Sequence, residues 1–143
     1  MYRPEPTQDP AAMSYEEMLE KIRYEGAYPT RERAEHAARA VLAGLGRQLT
    51  GQERSALTAC LPIEAALVFT AQVPAAEPLT GWGFVKDLAT RTGTTPAVAR
   101  WDAGSVFSAL GALAGPGLLS RVLGRLPAGY ALLFGRAELV QAA

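Results

Sequence analysis

One histidine and one cysteine supply all the imidazole and thiol chemistry in 143 residues. His36 has Glu32 four residues before it and Arg39 three after it. On a helix those spacings bring the side chains onto one face, where a carboxylate beside an imidazole is the minimum of an acid–base pair or half of a metal site. The other half has no source. A zinc site built from Cys and His takes three or four such ligands and a disulfide takes two cysteines, so no metal and no cofactor are expected. Cys60 stands just before Leu61-Pro62, where a helix has to end. The negative end of the helix dipole disfavours a thiolate, so Cys60 does not read as a nucleophile. Gly81-Trp82-Gly83 and Gly115-Pro116-Gly117 are too short for phosphate loops and lack the Lys-Ser/Thr that such loops need. They read as turns, and no catalytic residue is expected.

The elements that would position these residues are helices. The chain holds 27 Ala, 18 Leu and 12 Arg against 2 Lys, 2 Ile and no Asn, which favours helix over strand and is also the bias of a GC-rich bacterial genome. Ser14-Tyr15-Glu16-Glu17 is a capping box that opens a first helix through Met18, Leu19 and Ile22, ended by Gly26 and Pro29. Thr30 caps a second, with Ala34, Ala38, Val41, Leu42, Leu45 and Leu49 along one face. Thr50-Gly51-Gln52-Glu53 reads as another capping box, and Pro62 opens the stretch Ile63 to Thr70.

An internal repeat then organises the chain. A shift of 65 positions aligns Thr30–Phe69 with Thr95–Phe134 without a gap, and 12 of the 40 pairs are identical, among them Ala34/Ala99, Val41/Val106, Gly46/Gly111, Pro62/Pro127 and Phe69/Phe134. The shared residues are mostly apolar or punctuation, as units with a common core would retain. In the second copy Trp82, Phe84, Val85 and Leu88 form a first helix. Thr95-Pro96 opens the next, Gly115-Pro116-Gly117 turns the chain into a third, and Pro127 starts the fourth. The fold class expected is all-α: two pseudo-symmetric repeats of about four helices, residues 14–70 and 81–135, packed into one bundle domain. Residues 71–80 form the linker, and residues 1–13 and 136–143 are expected as tails, the first disordered. The opening stretch has three prolines and no apolar core, so it reads neither as a signal peptide nor as a span, and the expected setting is cytoplasmic. At His36 the repeat places Trp101, so that position reads as packing or groove edge rather than catalysis.

The series Ala34, Ala38, Ala40-Val41-Leu42, Leu45, Leu49-Thr50, Glu53, Leu57 and Leu61-Pro62, with its echo ending Leu126-Pro127, resembles the bacterial domain-of-unknown-function family 2267. The resemblance covers roughly Tyr15 to Phe134. It implies an all-helical, duplicated fold and no established activity, and it carries no ligand positions. The family pattern places acidic residues where this chain has Leu118, Leu119 and Ser120.

Charge supplies the remaining lead. The formal net charge is zero, which gives no global reason to bind nucleic acid, and the mixed-sign run Arg31, Glu32, Arg33, Glu35, Arg39 reads as a solvated face. From Trp101 to Gly135 only Asp102, Arg121 and Arg125 are charged, and Ala103 to Ser120 is uncharged throughout. That run is long enough to raise a membrane helix, but it holds Gly104, Gly111, Gly115, Pro116 and Gly117, and its repeat counterpart is charged; no span is expected. The expectation is a non-enzymatic interaction or scaffold module, with a protein partner or a second copy of itself docking on Val106, Phe107, Leu110, Leu113, Leu118 and Leu119. The alternative is a small-ligand protein using a groove between the repeats lined by Phe69, Trp82, Trp101 and Tyr130. An enzyme built on Glu32, His36 and Cys60 ranks third.

Overall fold

Local punctuation decides where the helices begin. In the computed structural model, which describes residues 13–136, Ser14 accepts from the Glu17 backbone N–H at 3.0 Å and Glu17 accepts from the Ser14 N–H at 2.9 Å. That reciprocal pair opens α1 (Tyr15–Gly26), which ends as Ala27 turns into the left-handed region with φ of 54°. Thr30 caps α2 (Arg31–Gly46), its hydroxyl accepting from the Arg33 N–H at 3.1 Å. α3 (Gly51–Cys60) and α4 (Ile63–Thr70) follow, separated by Leu61-Pro62. Thr80 caps α5 (Gly81–Thr92), and Thr95 with Pro96 opens α6 (Pro96–Arg125). α7 (Tyr130–Leu133) is a single turn. Among the described residues all regular structure is helical. Of the expected tails, Met13 packs against the core; residues 1–12 and 137–143 lie outside the described residues.

One local expectation is corrected. Thr50 makes no side-chain cap bond to α3, and the Glu53 carboxylate, which would complete the box, pairs instead with Arg125 on α6, 3.1 Å distant. Gly115-Pro116-Gly117 makes the expected turn, two helical stretches of α6 meeting there at a kink, and seven helical elements stand among the described residues. Gly115 alone leaves helical geometry, at φ 81° and ψ 162°. The clash that proline imposes on its predecessor pushes that residue out of the α region, and glycine reaches this backbone conformation with little strain.

α6 is the central element and packs against α1, α2, α3, α5 and α7. By length and composition it could cross a membrane, with a mean hydropathy of 1.5 over its most apolar window. Here its apolar side chains meet other helices: Ala99, Ala103, Val106, Phe107 and Leu110 are all buried. An aromatic cluster closes the far end of this core. Phe107 stacks on Phe134 at 4.2 Å, Phe84 tilts against Phe107 at 5.5 Å, and Tyr130 meets Phe84 edge-on at 5.7 Å. Residues 71–80 form no helix but are held in place: Ala75 N–H donates to Arg47 O, Leu79 N–H to the buried Gln48 side chain, and Tyr130 O–H to Leu79 O.

Candidate functional site

A helix at a protein surface ordinarily has one apolar stripe and one polar face. α4, Ile-Glu-Ala-Ala-Leu-Val-Phe-Thr, is apolar on nearly every side, and Glu64 is its one charge. Ala65, Ala66 and Phe69 face inward and are buried, which leaves Ile63 67% and Leu67 62% exposed. Of the eight large hydrophobic side chains that stand out into solvent among the described residues, three (Ile63, Leu67, Val73) fall in this stretch, so the exposure is concentrated rather than scattered. Beside them runs a groove of about 400 Å³ between α4 and α2, lined by Arg39, Glu64, Leu67, Val68, Ala71 and Gln72. Its rim carries one charge of each sign. Arg39 is held loosely by Glu35, 3.9 Å away on its own helix.

A second cluster joins the α1–α2 turn to α6. The Asp102 carboxylate is buried; it accepts from the Tyr28 hydroxyl at 2.5 Å and from the Arg33 guanidinium at 3.1 and 3.2 Å. Arg33 also lies over the Tyr28 ring, 4.9 Å from its centre, and its Nη1 is buried with no hydrogen-bond partner. Burial, then the bond to Asp102, pushes the Tyr28 hydroxyl well above the ordinary phenol range. Tyr15 is pushed up to about 12 by burial and then by its 2.9 Å bond to Glu35. This cluster is a lock between elements distant in sequence.

The residues singled out from sequence scatter. Val106, Phe107, Leu110, Leu113 and Leu119 are buried and Leu118 is half-buried, so the six do not form a free association face. Five helices surround α6 and cover the very side chains whose lack of charge suggested a surface. Phe69, Trp82, Trp101 and Tyr130 do not line one groove. Phe69 and Tyr130 are buried, Phe69 under the Arg54 guanidinium and Tyr130 in the aromatic cluster. Trp82, 58% exposed, lies under Lys86, and Trp101, 56% exposed, is pinned by its indole N–H to Gly26 O at 2.8 Å. Glu32 and His36 are exposed on α2, with no hydrogen bond or ion pair between them, and Cys60 is half-buried at the last residue of α3. No three of the described His, Cys, Asp and Glu side chains come together as metal ligands.

A family model described as an uncharacterized conserved protein, DUF2267, matches residues 15–133. The chain belongs to the DUF2267 family. The match runs from the first residue of α1 to the last of α7, so both the α4 groove and the Asp102 cluster lie inside the DUF2267 region. A comparison with curated proteins finds no match. Sequence reasoning placed a helix at Ile63 to Thr70 but missed α4 and Asp102 as sites, though each left a signal: a short helix without a polar face, and the one carboxylate of a largely apolar helix.

Proposed function

We propose that this DUF2267 chain is a non-enzymatic helical docking module, and that its working face is α4 with the groove it forms against α2. The observation that carries the reading is the exposure of Ile63 and Leu67, one helical turn apart, beside an open groove. Exposed apolar side chains one turn apart form a stripe that the apolar face of another helix can cover. The partner is a protein segment of that kind.

The duplicated architecture belongs to the same proposal. Thr30 and Thr95 both cap helices, and α3 and α6 end at Cys60 and Arg125, one repeat length apart. Equivalent side chains are equally hidden: Ala38 and Ala103, Val41 and Val106, Leu45 and Leu110, Leu61 and Leu126 are all buried. These correspondences support two copies of one helical unit. α6 is read as a core helix and not a span, since its Asp102 is committed to Arg33 on another helix.

The test is site-specific photo-crosslinking in living cells, with a benzophenone side chain replacing Leu67 or, as control, the exposed Thr90 on α5. Position 67 is expected to give an adduct whose partner peptide is a helix with an apolar stripe, with position 90 giving none. Equal adducts at both positions, or none at 67, would overturn the reading.

A further inference from the structure

We infer that the occupant of the α4 face is a second copy of this chain, seated about a two-fold axis that passes beside Leu67; this rests on α4 being the docking face. A two-fold interface has to be complementary to itself, because the same patch supplies both sides. α4 meets that condition. Ile63, Leu67 and Ala71 follow one another at four-residue steps, so Leu67 is the midpoint of the stripe. Laying two α4 helices antiparallel sets Leu67 against its own copy and the larger Ile63 against the smaller Ala71, large side chain to small at both ends.

Charge permits the approach. The groove rim holds Arg39 and Glu64, one of each sign, and the whole chain is formally neutral, so two copies meet without net repulsion. Other parts of the surface are less balanced. Among the described residues beyond Gly81, the acids Asp87 and Asp102 are both paired with arginines, while Lys86, Arg100 and Arg121 have no ion pair. Extent sets the strength: α4 is about 12 Å long, so the contact it offers is small, and the pair exchanges and forms at micromolar rather than nanomolar concentration.

The experiment uses the full chain with Cys60→Ser as background. Sedimentation equilibrium from about 2 to 300 µM, a range chosen for a micromolar Kd, is expected to show the mass rising from monomer to dimer. Leu67→Ser is expected to weaken association at least tenfold with an unchanged helical circular dichroism spectrum. Leu67→Cys under mild oxidation should link to its own copy, and Thr90→Cys should not. The cysteine variant keeps the test decisive should Leu67→Ser unfold. A chain that stays monomeric throughout, or a Leu67→Cys that links no better than Thr90→Cys, overturns the two-fold pair. If the chain is monomeric and the photo-crosslinker at 67 still captures an amphipathic helix of another protein, the second copy falls while the docking face stands. If neither occurs, both fall.

Discussion

Two stretches of the chain, one repeat length apart, meet the same packing problem in different ways. Gly46 and Arg54 stand eight residues apart around the end of α2; Gly111 and Leu119 stand at the same spacing around the kink in α6. At the first, α2 stops, and its last carbonyls together with those of α4 would be left without donors. The Arg54 guanidinium donates to Gly46 O, to Leu49 O at 2.9 Å, to Phe69 O at 3.4 Å and to Gln72 O at 2.8 Å, while lying over the Phe69 ring. At the second, the helix runs on past Gly111 as far as the kink at Gly115. Leu119 instead turns back to Gly111 and packs against it. A polar pin is needed where helices end inside the fold; where a helix continues, an apolar contact is enough.

The sharpest way to break the comparison is to give the first site the second one's residue. Arg54→Leu leaves several part-buried carbonyls without a donor and should lower unfolding free energy by about 3 kcal/mol, read from urea denaturation. If the loss is under about 1 kcal/mol, water serves those carbonyls as well as Arg54 does. The glycines extend the test. A Cβ on Gly46 would stand 2.3 Å from the backbone oxygen of Phe69, whereas one on Gly111 would meet only the end of the Leu119 side chain at 3.3 Å. Gly46→Ala should therefore cost about 2–3 kcal/mol, and Gly111→Ala should stay within about 1 kcal/mol of the parent, because a rotamer can shift and alanine favours helix.

Polar pinning is not confined to the first half, and Asp102 measures how far the contrast extends. Asp102→Ala removes the acceptor of both Tyr28 and Arg33. Arg33 is 34% exposed, so water recovers part of what its ion pair provided, and the expected loss is about 2 kcal/mol by the same denaturation. The smallest effect concerns pH. Tyr15, Tyr28 and Tyr130 all have phenols raised above 10.0 chiefly by burial, and so keep their protons to higher pH when folded than when unfolded. Above about pH 10 the unfolded chain binds fewer protons, and stability should fall as pH rises, while below it these groups impose no slope. Comparing urea midpoints at about pH 9 and 11 checks the sign, and Tyr28→Phe should flatten the fall. Arg54→Leu should leave that slope unchanged, since a guanidinium stays charged across the range.

Helix content and the helix starts at Ser14, Thr30 and Thr95 were legible in the residues, because capping and apolar spacing act within a few positions. Side chains inside strongly patterned helices were legible too: Ala38, Val41, Leu45 and their counterparts are buried as the spacing requires. The candidate site was not. α4 has apolar residues on nearly every side, so its sequence carries no instruction about which ones meet the core, and the packing of α4 on α2 decided that Ile63 and Leu67 face outward. The uncharged stretch of α6 was misleading for the complementary reason, since an apolar run reads alike whether it meets solvent, a partner or its own fold. Arg33 and Asp102 are 69 residues apart, and nothing local to either announces the other. The sequence by itself determined the helices and the residues that could be hidden. Tertiary structure alone decided which of them were covered, because burial depends on contacts between helices, and those contacts join residues too far apart for local spacing to specify.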